Sequence, residues 1–226
     1  MTVQQWTTGR KAAKLTQVQA AKALGVSQPY LSQLENGSRV AGVELARKAA
    51  AVYRLSAAVL PLPKAADKPT VDPTEMEREL GALGYPGFAH ASQGEPRNPA
   101  GVVYDAVVQK DLDTRLVEAL PWVLNAYTDL DWRWLRDHAK LRNVQNRLGY
   151  LVELAKGAAG NGRDVHTLSE WVRDLEDARL VREDTLCRES MPQAERRWLK
   201  LHRPPAAEHW NLLTSLTVEQ LPYAAK

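Results

Sequence analysis

One short segment holds several side chains that can form directed hydrogen bonds, namely Gln28, Tyr30, Ser32 and Gln33. Each glutamine amide carries both a donor and an acceptor, the combination that pairs with the edge of an adenine base. Leu31 and Leu34 stand three residues apart in the same segment, so a helix there would turn them toward a core. The polar side chains would then lie on the other faces, where they could contact base edges.

Two short helices joined by a tight turn must position these side chains. Thr16 and Ser27 are N-cap residues for helices predicted over 17–24 and 28–36. Gly25 stands where the first helix needs a residue in the left-handed region. This arrangement presents the second helix to the major groove of DNA. It also occurs in helical bundles that never bind DNA, so the spacing alone leaves both interpretations open.

Individual residues carry a family resemblance: Gln17, Ala21, Gly25, Val26, Ser27, Gln28, Leu31, Gln33, Leu34, Glu35, Asn36 and Gly37. With them, residues 7–61 resemble the phage-repressor-like helix-turn-helix family, the XRE family of the lambda and 434 repressors and Cro. The resemblance implies a small helical domain that binds DNA. It also implies a structural ion pair between Arg10 and Glu35, which could otherwise be two solvated charges.

The resemblance also implies roles for single residues. Gln28 and Gln33 would contact bases, while Gln17 and Asn36 would contact phosphates. We expect Tyr30 and Ser32 to join the base-reading set, and Lys14, Ser38 and Arg39 to join the phosphate-binding set. Pro29 and Tyr30 depart from the phage repressors, which often place a polar base-reading side chain there. Because Pro29 cannot read a base, the sequence defines the docking mode more firmly than the preferred base pairs.

Basic residues are concentrated at the N-terminal end of the chain. Residues 1–66 hold nine Lys and Arg against two acidic residues, a net charge of +7. The whole chain of 226 residues carries +3, so the remainder carries −4. A basic end attached to an acidic remainder is typical of localised phosphate binding, which weakens as the salt concentration rises.

We predict an all-α protein in which a small, five-helix, lambda-repressor-like DNA-binding domain occupies residues 1–63. Its helices are predicted at 3–14, 17–24, 28–36, 43–53 and 56–60. Residues 64–100 are expected to be a linker with one short helix, which begins at Asp72 and Pro73. Residues 101–226 are expected to form a larger, mostly helical domain for dimerisation or partner binding.

The second half of the chain shows helical periodicity with few markers of helix ends. The longest helix is predicted over 131–158, and shorter helices over 167–180, 191–201 and 208–216. Residues 84–101 are rich in Gly and Pro and are predicted as loop, while 102–109 fit a helix or a strand. Pro121 is expected to break or kink its helix. Six of the seven Trp lie in this half, where such rings form a core or an interface.

No set of residues has the spacing of a catalytic or metal site. The five His are scattered, and the sequence lacks a phosphate-binding loop, a dinucleotide-binding glycine pattern and a serine elbow. We therefore predict that the protein is not an enzyme and needs no cofactor or metal. The lone Cys187 is expected to be an incidental helix residue. With no signal peptide or long apolar run, a cytoplasmic location without membrane contact is expected.

Three functions stay open at this point. The first is a transcriptional regulator, most simply a repressor, that binds double-stranded DNA as a homodimer on a palindromic operator. The second is an antitoxin, because residues 118–155 loosely resemble the helical tails of antitoxin-type bacterial regulators. Such a protein would neutralise a toxin through its C-terminal domain and regulate its own promoter. The third is a regulator that senses a small ligand in its Trp-rich half.

Overall fold

The computed structural model describes residues 1–63, 71–92, 94–159 and 163–223, and this part of the chain is mostly helical. Residues 1–63 form what we call the N-terminal bundle. Its elements are α1 (Val3–Ala12), α2 (Gln17–Leu24), α3 (Gln28–Glu35), α4 (Val43–Tyr53) and a 3-10 turn at Ala57–Val59. The hydroxyls of Thr2, Thr16 and Ser27 cap the first three helices. The predicted helices are present, but α1 is shorter and the fifth is a single 3-10 turn.

The core of the N-terminal bundle closes around Trp6. Trp6 meets Tyr53 of α4 edge to face, with ring centroids 6.4 Å apart. Leu31 and Leu34 of α3 are buried in the same cluster, together with Ala20 on the facing side of α2. Because the alanine side chain is short, α2 and α3 can cross closely. The apolar side of α3 is therefore fixed, and its polar side faces outward.

We call residues 71–223 the C-terminal body. Its helices are α5 (Pro73–Ala82), α6 (Pro99–Val107), α7 (Thr114–Ala126), α8 (Trp132–Leu141), α9 (Gln145–Ala158), α10 (Arg163–Glu176), α11 (Gln193–His202) and α12 (Pro205–His209). There are 3-10 segments at Pro86–Ala91 and Val218–Gln220. The strands β1 (Asp184–Thr185) and β2 (Leu212–Leu213) pair in parallel, with Asp184 opposite Leu212.

The central element of the C-terminal body is α9, which packs against α7, α8 and α10. The fully buried indole of Trp210 lies directly against Gly149 of α9 and donates its Nε1–H to Glu153 Oε2 at 2.7 Å. The amide of Asn146 donates to the carbonyl oxygens of Leu180 and Trp210, both at 2.8 Å. These contacts hold the chain around Leu180 and Trp210 against α9.

The predicted longest helix over 131–158 is wrong, because the chain forms α8 and α9 with a break between them. Asn143 adopts a left-handed conformation with φ 57°. Its N–H donates to Lys140 and that of Val144 to Ala139, so α8 closes before α9 begins. Asparagine tolerates this conformation better than other residues with a Cβ.

Other predictions for this half need correction. Residues 84–101 are not all loop, because they include Pro86–Ala91 and the start of α6. Of the two alternatives left open for 102–109, the structure has the helix. Pro121 lies inside α7 without ending it. Residues 208–216 do not form one helix, because they contain only the end of α12, followed by β2. Cys187 is not helical but sits after β1 with φ 53°.

Residues 71–91, predicted as part of a linker, belong to the core of the C-terminal body. Met76, Leu80 and Phe88 are buried in the same apolar cluster as α7 and α9. The amphipathic pattern of α5 therefore marks a core helix and not an isolated one. Of the other residues predicted as linker, 64–70 and 93 lie outside the described residues.

A buried asparagine joins the N-terminal bundle to the C-terminal body. The Nδ2 of Asn98, which is 3% exposed, donates to the carbonyl oxygens of Ala58 at 3.1 Å and Leu60 at 2.7 Å. Its Oδ1 accepts from the backbone N–H of Ala100 at 3.0 Å and so caps α6. Ala57, Ala58 and Leu62 also pack against the core of the body.

We expect Gly149→Ala to destabilise the protein by about 1–3 kcal/mol, because a Cβ at this position would overlap the buried indole of Trp210. The melting temperature, followed by circular dichroism, should fall by several degrees. Gly94→Ala is the matched control, since its Cβ would meet its nearest neighbour at 3.9 Å. Equal melting temperatures for the two variants would contradict the packing of Trp210 on α9.

Candidate nucleic-acid interface

The turn between α2 and α3 has the geometry that the sequence predicts. Gly25 ends α2 with φ 73°, and its N–H donates to the carbonyl of Lys22 at 3.1 Å. The Oγ of Ser27 then accepts from the N–H of Tyr30 at 3.3 Å at the start of α3. Pro29 lies in this first turn, where no helical hydrogen bond needs its missing N–H. The two helices therefore meet at a tight corner.

Arg10 and Glu35 form a bidentate ion pair inside the N-terminal bundle. Arg10 Nε lies 2.6 Å from Glu35 Oε1, and Nη2 lies 3.1 Å from Oε2. The side chains are only 13% and 9% exposed. The Nη1 of Arg10 donates to the carbonyl of Leu15 at 3.0 Å. The hydrogen bond to Glu35 raises the pKa of the Arg10 guanidinium.

Burial of Tyr53 next to this ion pair raises the pKa of its phenol to about 12, and Glu35 adds to the effect. The phenol therefore remains neutral near physiological pH. Tyr53 thus adds no charge to the Arg10–Glu35 ion pair.

A chain of hydrogen bonds runs from the ion pair to the outside of α3. Gln17 Nε2 donates to Glu35 Oε2 at 3.1 Å, and Gln28 Nε2 donates to Gln17 Oε1. A primary amide has two donor hydrogens, so Gln28 keeps one donor and its acceptor for a ligand. The structure thus brings together Gln17, expected at phosphate, and Gln28, expected at a base.

The other expected base-reading residues lie on the outer side of α3. Gln33 is exposed, whereas Tyr30 and Ser32 are half-buried. The guanidinium carbon of Arg39 lies 4.8 Å from the centre of the Tyr30 ring, a cation–π contact. The backbone N–H of Arg39 also donates to the carbonyl of Gln33 at 3.2 Å. A residue expected at phosphate is therefore held beside the base-reading set.

The remaining expected phosphate contacts flank the two helices. Asn36 Oδ1 accepts from the Ser38 N–H at 2.9 Å and from its hydroxyl, which orders the end of α3. Lys14 is exposed before α2, in a left-handed conformation with φ 56°. Two contacts were not visible in the sequence, the Gln17–Gln28 hydrogen bond and the Tyr30–Arg39 contact. Both join residues far apart in the chain, for which no local pattern exists.

Elsewhere, the described residues offer little reactive chemistry. They include no group of three or more His, Cys, Asp or Glu that could hold a metal ion. Burial raises the pKa of the Cys187 thiol to about 11, so the thiol is neutral and weakly nucleophilic. Among the helices in the described part of the chain, none has the length and apolar character needed to cross a membrane.

The N-terminal bundle matches a known family. Residues 8–60 fit the family model described as helix-turn-helix. This confirms the predicted resemblance: the segment is a helix-turn-helix domain of the XRE type, as in the lambda repressor and Cro. No curated protein and no solved structure matches the chain. The matched domain points to a DNA-binding transcriptional regulator and not to an enzyme family.

We expect Arg10→Ala to destabilise the N-terminal bundle by about 1–3 kcal/mol, because the largely buried Glu35 carboxyl would lose its bidentate partner. Hydrogen exchange read by mass spectrometry should show faster exchange in peptides covering residues 17–36. The exposed neighbour Lys11, changed to Ala, serves as the control and should leave these peptides unchanged. Unchanged protection in Arg10→Ala would mean that the pair does not hold α3.

Proposed function

We propose that the protein is a sequence-specific transcriptional repressor that binds a palindromic DNA operator as a homodimer. The observation that carries this proposal is the outward polar side of α3, anchored through Gln17 to the buried Arg10–Glu35 pair. Preorganised amides lose little conformational freedom on binding, which favours specific contacts. The helix-turn-helix match over residues 8–60 supports the same interpretation.

In this proposal α3 lies in the major groove. Gln33 and Gln28 read base edges, and both are suited to the N6 and N7 atoms of adenine. Tyr30 and Ser32 contact neighbouring base edges or methyl groups. Pro29 offers only an apolar surface, which leaves base choice mainly to the two glutamines.

Phosphate contacts flank α3 in the same proposal. They come from Lys14, Gln17, Asn36, Ser38 and Arg39. Stacking on Tyr30 would direct the Arg39 guanidinium to the phosphates next to the base-reading set. The net charge of +7 on residues 1–66 supports such binding.

The C-terminal body is the proposed dimerisation unit. Helix-turn-helix dimers of this kind bind half-sites about one helical turn of DNA apart. In a dimer on one operator, each copy would contribute the +7 charge of its residues 1–66 to phosphate binding.

Changing Gln33 to Ala should weaken operator binding by about 1–3 kcal/mol and relax the preference at one base position, because one base-edge contact is lost. Selection from a random-sequence DNA library would first define the site. Titrations of wild type and variant at several salt concentrations then give affinity and salt slope. The slope should be steep and unchanged by the variant, since Gln33 is uncharged.

The exposed Gln4 on α1, changed to Ala, is the control for this experiment. If Gln33→Ala binds with the affinity and selectivity of the wild type, α3 is not the recognition helix. A salt-independent affinity of the wild type would contradict phosphate binding by the basic end.

A second candidate function is that of an antitoxin that captures a partner protein. The observation that favours it is the outer side of α11, where Trp198 is 55% exposed and Leu201 is 82% exposed. The Trp198 ring stacks on His202 with centroids 4.6 Å apart, so it is held in place. Large apolar side chains on one exposed helix side are typical of protein interfaces.

If this second function holds, the product of the neighbouring gene should arrest growth, and co-expression of the full chain should restore it. The double variant Trp198→Ala, Leu201→Ala should fail to restore growth, because the partner loses its apolar contact. Val181→Ala, another exposed apolar residue, is the control. A harmless neighbour, or full protection by the double variant, would count against the antitoxin function.

A further inference from the structure

A pocket of about 390 Å³ opens in the C-terminal body, away from the helix-turn-helix. It lies between α7, α11 and β2, and we call it the α7–α11 pocket. Val117, Leu199 and Leu213 line it, and they are only 4%, 3% and 2% exposed. Walls made of such covered side chains indicate a pocket that reaches into the interior. Its volume falls within the range of small-molecule sites, roughly 300–1,000 Å³.

The charges that line this pocket do not cancel. Glu195 and Arg188 form an ion pair at 2.6 Å and neutralise each other. Glu118 of α7 also lines the pocket, and no cationic side chain among the described residues forms an ion pair with it. Its neighbour Arg115 places its guanidinium over the Phe88 ring instead, at 5.4 Å. The charged side chains that line the pocket therefore sum to one negative charge, which the nearby Arg115 offsets only in part.

The surroundings of Glu118 favour a positively charged ligand group. Burial is the main cause that raises the pKa of the Glu118 carboxyl, and the nearby Asp113 raises it further. Both effects make a lone carboxylate unfavourable at this position. An ammonium group next to Glu118 would offset them by forming a charge-assisted hydrogen bond with the half-buried carboxylate.

The buried part of the pocket wall is mostly apolar, while the exposed residues Thr114, Ser215 and Gln220 add polar groups to the lining. Leu186, Met191 and Leu216 extend the apolar wall, and each is buried. The exposed Ser215 at the edge of the pocket offers a hydroxyl. A buried apolar wall next to one carboxylate fits an amphipathic organic cation better than a phosphate, whose negative charge Glu118 would repel.

The wall formed by α11 is held largely by polar contacts. Lys200 of this helix and Arg203, which directly follows the helix, each place a side-chain nitrogen 3.5 Å from Glu183 Oε2. Its buried apolar contact is the small cluster of Met191, Leu199 and Leu213, separate from the main core. Because few apolar contacts hold α11, this helix can shift to fit a ligand at a small cost in free energy.

We propose that the α7–α11 pocket binds a small organic cation, in which an aromatic or aliphatic body carries a protonated amine. The ammonium group contacts Glu118, and the body packs against Val117, Leu199 and Leu213. The pocket shares no residue with the proposed DNA contacts, so a test of ligand binding is independent of the repressor proposal.

Two probes of the same shape test the proposal on the full-length protein. Tryptamine and indole-3-propionate share the ring and the two-carbon chain, but one carries an ammonium and the other a carboxylate. Isothermal titration and saturation-transfer NMR should detect tryptamine binding. Indole-3-propionate should bind at least about tenfold more weakly, because its carboxylate would face Glu118.

Glu118→Gln keeps the side-chain shape and should weaken tryptamine binding by about tenfold. Glu170→Gln, at an exposed position on α10, is the control and should bind as the wild type does. Ser215→Trp, which would cover the pocket edge without touching its buried walls, should abolish binding. Absence of tryptamine binding, equal affinity for the two probes, or unchanged affinity in Glu118→Gln would each overturn the proposal.

Discussion

The bidentate Arg10–Glu35 ion pair determines how the N-terminal bundle presents α3. It joins α1 to the end of α3, while another guanidinium nitrogen holds the carbonyl of Leu15 before α2. Glu35 also accepts from Gln17, so three helices meet at one carboxylate. A charge this deep is costly without its partners. Any rotation of α3 would break several of these bonds together, which makes its polar side a fixed surface.

The sequence was sufficient to predict the helix-turn-helix because its signals are local. Thr16, Gly25 and Ser27 each act on backbone groups within a few residues, and the structure has all three in the expected roles. The contacts on the outer side of α3 could not be predicted in the same way. Gln28 finds Gln17 only once two helices have crossed, and Arg39 reaches Tyr30 only after the loop has turned back.

The second half of the chain was predicted less well, for a physical reason. An apolar stripe records which residues are buried, and it continues across the break between α8 and α9. The break itself depends on one residue, Asn143, whose left-handed conformation leaves no mark on that stripe. Within the helix predicted over 208–216, Leu212 and Leu213 are apolar because β2 is buried, and burial alone does not distinguish a short strand from a helix. The Glu118 charge imbalance likewise appears only when α11 is placed opposite α7.

Asn98 has a consequence that reaches beyond the fold. One amide ties the end of the N-terminal bundle to the start of α6, and it is almost completely buried. The N-terminal bundle, and α3 with it, is therefore attached to the C-terminal body by buried hydrogen bonds and not only by the connecting chain. In a dimer formed through that body, the distance between two α3 helices would be a property of the C-terminal residues. The spacing of the DNA half-sites would then be encoded in residues outside the helix-turn-helix domain.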